Sequence, residues 1–494
     1  MAPLKSVALI FACGTALFSD GYANNIIGSV NTILKRIYGN EVIKAKNYST
    51  LVSSLAFAGT VVGMLVFGYL SDKIGRKFGM MTATGIVALF SGLSAASSGA
   101  HHSVDGLLSM LAACRSVYVL FVSSNFVCPT AAFRFLLGIG IGAEYPCGSV
   151  AASENSEEST ISKNAQHRWF TLATNTMIDV GFVISAFVVL VLYWIFGENH
   201  LRAVWRLSLG LGVIPALAVF IWRLRMDESE RYKKDSMKRV RIPYRLVLRR
   251  YGGSLAAISF TWFLYDFIVY PFGIYSSTVV NNITGGSEKL SIVFGWNVVI
   301  NLFYIPGTLL GAFVVDYLGA KWTMIVGLLA QAIIGFIMSG CYEQLASHVA
   351  AFAVVYGIFL SFGELGPGNN IGLLASKSSP TAIRGQFYGI AAAVGKVGAF
   401  VGTWAFPPMI DAFGGEDTTR GNTGPFWVGS GLAILSAIVT LLFIKPLSHD
   451  GMVQEDIAFR QYLESKGYDT SQMGLGGESE ISSDTAEDEK KVPV

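Results

Sequence analysis

Charged side chains are scarce in this chain: they make up 14% of its 494 residues, against about 25% in an ordinary soluble domain. Cysteine is scarce too. The five present (Cys13, Cys114, Cys128, Cys147, Cys341) are odd in number and fall mostly in apolar stretches, so they read as small core residues and not as a disulfide framework. The six histidines lie mostly in connections and show no metal-ligand spacing. No Walker loop, zinc motif or catalytic triad is present. These absences exclude most enzyme classes, and no cofactor, metal or nucleic-acid partner is expected.

Long apolar runs are abundant. The hydrophobic fraction is 52%, and stretches of about 20 residues, long enough to cross a bilayer, recur near 6–33, 50–71, 79–98, 134–152, 169–196, 203–223, 254–280, 291–316, 323–341, 349–376, 386–410 and 426–446. The first contains Asp20, Asn24 and Asn25 with no small-residue cleavage site after it, so it is read as a span and not as a signal peptide. The spacing predicts an all-α membrane protein with twelve transmembrane helices embedded in lipid.

A charged turn repeats between these runs. Gly68-Tyr69-Leu70-Ser71-Asp72-Lys73-Ile74-Gly75-Arg76-Lys77 has a degenerate copy in Ala312-Phe313-Val314-Val315-Asp316-Tyr317-Leu318-Gly319-Ala320-Lys321. Aligned on Asp72 and Asp316, Asp-x-x-Gly-x-Lys recurs, and each copy follows the second span of its half. Duplication of this kind builds many secondary transporters. Two pseudo-symmetric six-helix halves are expected at residues 1–223 and 253–446. A basic linker, 224–252, joins them, and an acidic tail, 447–494, lacks the apolar residues to fold alone.

Residues 223–250 hold eleven Lys/Arg against four acids, which puts this loop, and with twelve spans both termini, on the cytoplasmic side. The Asn47-Tyr48-Ser49 and Asn282-Ile283-Thr284 acceptor triplets then fall outside. Residues 116–134 fit poorly: deleting them restores one uninterrupted fourth span. They are read, on even terms, as a retained intron or a genuine insertion.

Charges inside spans cost about 2.5–3.5 kcal/mol each on insertion scales and usually mark a pathway. Asp20, Glu144, Asp179, Asp266, Glu364 and Lys396 all lie in predicted spans. Trp262, Asp266 and Tyr270 recur at i, i+4 and i+8, on one helix face, which suits an anion-binding wall. The plainer alternatives are that Asp266 only neutralises Lys396, that the aromatics are packing residues, and that Asp20 and Glu144 are acids hydrogen-bonded to a neighbouring helix. Asn369 and Asn370 sit in a Gly/Pro-interrupted segment that exposes backbone groups. Gly138, Gly140 and Gly142 are read as helix-packing positions.

Four segments carry a family resemblance. Arg134-Phe135-Leu136-Leu137-Gly138-Ile139-Gly140-Ile141-Gly142-Ala143-Glu144-Tyr145-Pro146, the face around Trp262, Asp266 and Tyr270, and Gly389 to Ala399 with Lys396 resemble the phosphate:proton symporters of the major facilitator superfamily. The Asp72 turn resembles that superfamily's general signature. Phe18-Ser19-Asp20-Gly21-Tyr22, Ala143 to Ser149 and Gly366-Pro367-Gly368-Asn369-Asn370 are closer still to the fungal glycerophosphoinositol/glycerophosphodiester permeases.

The resemblance implies the major facilitator fold, a plasma-membrane location and proton-coupled uptake. Tyr145, Trp262, Asp266, Tyr270, Asn369 and Lys396 would bind a small anionic phosphodiester or phosphate. Asp20 and Glu144 would carry protons, and Gly68, Asp72, Gly75, Arg76, Asp316 and Lys321 would form the gates. Glu144 stands where phosphate symporters have aspartate, and Ala23 where they often have a second acid. Those changes favour a larger diester such as glycerophosphoinositol or glycerophosphocholine. Inorganic phosphate is the alternative substrate, and a non-transporting nutrient sensor the alternative class.

Overall fold

In the computed structural model the described residues are 4–45, 47–97, 104, 107, 133–238, 240–283, 289–415, 418–471 and 473–474. Helix is the only regular structure among them, as a bilayer requires of a chain that must satisfy its backbone internally. The long apolar helices are α1 (Leu4–Tyr38), α2 (Tyr48–Lys73), α3 (Arg76–Ala95), α4 (Phe133–Ser156), α5 (Lys163–Phe196), α6 (Glu198–Arg223), α7 (Tyr244–Ser276), a continuous stretch Leu290–Gly340, α10 (Val349–Lys377), α11 (Thr381–Ala412) and α12 (Thr419–Phe443). The stretch Leu290–Gly340 breaks at Gly319, whose φ of 75° is left-handed. Its limbs, α8 (290–318) and α9 (320–340), bring the number of spans among the described residues to twelve. Gly319 is the counterpart of Gly75, which also has positive φ (147°): both repeat turns need a conformation that favours glycine.

The two halves meet along α2 and α11, α1 and α7, and α5 and α8. Close helix approach is made possible by missing side chains. A Cβ on Gly138 would lie 2.1 Å from the Ala56 carbonyl oxygen, and one on Gly142 2.2 Å from that of Thr60, so α4 seats backbone to backbone on α2. Between the halves, a Cβ on Gly389 would lie 2.5 Å from the Met64 carbonyl oxygen.

Near its middle, the fourth span of each half opens into one π turn. In α4 it covers Tyr145–Ser149, and in α10 Glu364–Gly368. Pro146 and Pro367 lie in these turns and cannot donate to the helical ladder. Such bulges often mark functional positions.

Two stretches depart from the sequence reading, and a third lies mostly outside the described residues. Helix α7 begins at Tyr244, within the segment assigned to the linker. Residues 116–132 of the anomalous segment lie outside the described residues, as do Cys114, Cys128 and Thr284. Phe133 and Arg134 open α4, and the buried Arg134 donates to the Ala23 carbonyl at 2.9 Å. The tail expected to be unfolded starts with a helix, α13 (Gly451–Glu464), whose Met452, Phe459 and Leu463 are fully buried. These three lie on one helical face, a pattern hidden by the acidic composition of the tail as a whole. Asp456 of α13 accepts from the Thr381 amide (2.6 Å) and hydroxyl (2.8 Å). Burial raises its carboxyl above the usual range, with the Arg384 guanidinium pulling the other way.

Gly138→Leu forces the α2–α4 crossing apart. Thermal unfolding in detergent should drop by the equivalent of about 1–3 kcal/mol, the usual cost of overpacking.

Candidate functional site

Lys396 lies between the halves, 1% exposed. Its ammonium is 3.6 Å from Asp20 Oδ2 of α1 and 3.6 Å from Asp266 Oδ2 of α7. It donates to the Tyr270 hydroxyl and stands 5.2 Å from the ring centre of Tyr145 and 3.7 Å from that of Tyr270. Asp20 is the best-satisfied acid here. Tyr145 (2.6 Å) and Tyr270 (3.0 Å) donate to its Oδ2, and Asn24 (2.6 Å) to its Oδ1. Asp266 Oδ2 makes no hydrogen bond; only the ammonium answers it. The face i, i+4, i+8 of α7 does point inward: Trp262, Asp266 and Tyr270 line one cavity with Tyr145, Asn369 and Lys396. Trp262 reaches it because Gly395 leaves room, a Cβ there falling 2.4 Å from the indole.

The enclosed space is about 50 Å³, enough for a few waters. Its far wall holds Asp179 of α5 and Glu364 of α10. One amide nitrogen, Asn175 Nδ2, faces Asp179 Oδ2 at 3.3 Å, Glu364 Oε2 at 2.9 Å and Asn369 Oδ1 at 2.9 Å. The Tyr265 hydroxyl donates to Glu364 Oε1 at 2.8 Å. Asn175 and Tyr265 carry no charge and fall off the periodic face, so nothing in the sequence singled them out.

Glu144 is elsewhere. It does not line the cavity; both its oxygens lie 2.8 Å from Arg223 Nη1, and Arg223 also donates to the carbonyls of Ala12 and Cys13. This is a buried ion pair tying α4 to α6 and α1, an arrangement that suits holding helices more than cycling a proton. Its partner was legible only as a basic residue at a span's end.

The residues expected to form the gates lie on the face of the molecule that carries the linker. Asp72 accepts from the amides of Gly385 (2.9 Å) and Gln386 (2.8 Å) and from Arg76 (2.6 Å). It thus caps the exposed N–H groups and positive dipole end of α11 across the two halves. A Cβ on Gly68 would lie 2.9 Å from the Gly385 carbonyl oxygen, so this contact needs the glycine. Arg76 and Arg384, one from each half, share Glu154 at 3.1 and 3.3 Å. The second copy is looser: Asp316 accepts from the Arg168 amide near the start of α5 at 3.2 Å, while Lys321 turns to the Leu441 carbonyl at 2.8 Å. On the opposite face, Trp404 donates to Ser54 across the halves at 2.9 Å. The halves therefore touch on both sides of the cavity.

The family model "Sugar (and other) transporter" matches twice, over residues 7–241 and 234–452. The chain is 46% identical over 478 residues to a glycerophosphocholine permease of Candida albicans, covering 96% of this chain and 85% of that protein. It is 44% identical over 472 residues to that organism's major glycerophosphoinositol permease, covering 95% and 84%. Among solved structures it resembles the proton:xylose symporter XylE of the major facilitator superfamily, from E. coli, with a TM-score of 0.70 and 19% identity, covering 92% of this chain and 98% of that one. At that identity the likeness concerns the fold alone, and the fold is that of the major facilitators.

Glu144→Gln leaves the Arg223 charge buried without its counterion, which should cost about 3–5 kcal/mol. Glu144→Gln with Arg223→Met removes both charges and should recover much of that loss, as read from thermal unfolding in detergent.

Proposed function

The chain belongs to the sugar (and other) transporter family, and on that premise we propose that it is a plasma-membrane permease taking up glycerophosphodiesters, such as glycerophosphocholine or glycerophosphoinositol, with protons. The observation that carries this reading is Lys396. It is the one Lys or Arg among the described lining residues of a cavity between the halves, and its two acidic neighbours stand at 3.6 Å, too far for strong hydrogen bonds. With one hydrogen given to Tyr270, the ammonium has two donors left for a phosphate oxygen. Tyr145 and Tyr270, now donating to Asp20, are phenols within reach of the same anion. Trp262 and Asn369 complete the wall, and the identities of the two permeases support a diester as cargo.

A phosphodiester bears one negative charge. Entering between the halves, that charge takes the place of Asp20 or Asp266 beside Lys396. The halves then rock about the loaded cavity. Opening on the linker side breaks the Asp72 cap on α11 and the Glu154 bridge. With the basic linker inside, that side is cytoplasmic, as are both termini. Any net positive charge carried inward gains about 2.3 kcal/mol per 100 mV of membrane potential.

Inorganic phosphate is the second reading. It is favoured by the cavity, which at about 50 Å³ admits a diester only after one gate has opened.

Radiolabelled uptake into proteoliposomes under an imposed pH gradient separates these readings. Glycerophosphodiester accumulation is expected, and Lys396→Ala should abolish it while the protein remains correctly inserted. Phosphate uptake indifferent to excess glycerophosphodiester would favour the second reading. Binding without accumulation would point to a sensor, and normal uptake by the Lys396 variant would refute the binding assignment.

A further inference from the structure

The cavity holds more acid than Lys396 can answer. Asp20 and Asp266 share that ammonium, which leaves Asp179 and Glu364, 0% and 2% exposed, with no Lys, Arg or His within 4.0 Å among the described residues. Building on the transport reading, we propose that Asp179 and Glu364, one from each half, hold a single exchangeable proton between them and form the proton-coupling site.

The hydrogen bonds do not add up for two ionised carboxylates. Asn175 Nδ2 has two hydrogens but three acceptors: Asp179 Oδ2, Glu364 Oε2 and Asn369 Oδ1. Tyr265 supplies one more donor, to Glu364 Oε1. Asp179 Oδ1 is buried and has no hydrogen-bond partner. The nearby Thr308 hydroxyl, which is within hydrogen-bond distance of Thr176, is committed to Asn369 Oδ1 at 2.9 Å. Two carboxylates sharing one buried site cannot both ionise without large cost. A proton on either supplies the missing donor and removes one of the charges.

The first half offers an internal contrast. Glu144 immediately precedes the π turn of α4, and Glu364 is the first residue of the π turn of α10. Glu144 is answered by Arg223 at 2.8 Å. Glu364 has only an amide, a phenol and Asp179. The other titratable or charged groups facing the pair are Tyr265 and Asp266 of α7, Tyr304 of α8 and Lys396 of α11, and the last is engaged elsewhere.

The pair also bridges the moving parts. Asn175 joins α5 to Glu364 and Asn369 of α10, and Thr176 meets Thr308 of α8 at 3.0 Å. With a proton bound, the halves close at this level as they do in this structure. Without it, two like charges face each other across the interface and drive it open. One proton taken from water on one side and returned to water on the other would tie the rocking motion to the gradient.

The test uses the full chain in proteoliposomes with labelled glycerophosphocholine, together with infrared spectroscopy of the substrate-free protein. One proton carried with each glycerophosphocholine, a zwitterion with no net charge, corresponds to about tenfold accumulation per pH unit when the membrane potential is clamped at zero. Asp179→Asn and Glu364→Gln should bring the accumulation ratio down to about one, while counterflow exchange, which moves no net proton, persists and loses its pH dependence. The wild-type infrared band of a buried protonated carboxyl group should titrate and be missing in both variants. Concentrative uptake with a wild-type pH profile in both variants would overturn the proposal, as would an infrared band unchanged in both. A wild-type protein that ignores glycerophosphocholine would sink the substrate reading alone, because the infrared result needs no substrate.

Discussion

A lysine ammonium buried where two helix bundles meet cannot stand alone, and much of the interior follows from that constraint. Desolvating such a charge costs several kcal/mol unless opposite charge and hydrogen bonds replace water. Lys396 draws Asp20 from the first half and Asp266 from the second to within 3.6 Å, and Asp20 in turn organises Tyr145, Tyr270 and Asn24. The proposed binding wall and the contact between the halves are thus one network. An anion that displaces part of it disturbs the interface directly, so site occupancy and conformation are linked by contact and need no relay.

The duplication supplies the scaffold and its breakdown supplies the chemistry. Matched features do structural tasks: the glycine-hinged turns after Asp72 and Asp316, the acid at each that caps a helix of the opposite half, and the π turns in α4 and α10. The unmatched ones carry charge where the site needs it. Lys396 lies on one side only, and Glu144 has its arginine while Glu364 does not. A symmetric pair of bundles provides two equivalent closures, and an asymmetric lining gives each a different electrostatic cost.

Much of the site was legible because helical period and burial cost are local properties. Trp262, Asp266 and Tyr270 were found as one inward face by their spacing, and Lys396 by its depth in an apolar run. Glu144 was not legible in the same way. A carboxylate's role is set by the atoms around it, and Arg223 lies 79 positions further along the chain. Asn175 and Tyr265 escaped notice for the same reason, since a neutral donor in a span looks like packing until its acceptors are seen. The helix at Gly451–Glu464 was lost in composition, which averages over a segment and hides three apolar residues on one face.

Apolar run lengths, the repeated turn and the distribution of Lys and Arg determined by themselves that this chain spans a membrane as two six-helix halves, because bilayer thickness and backbone satisfaction allow few other solutions. Which acids answer the lysine, which one is held by an arginine and which two face each other without a cation was decided only by the tertiary structure. Those pairings join residues from different helices, and a hydrogen bond, which needs its heavy atoms about 3 Å apart, cannot be read from positions that the fold alone brings together.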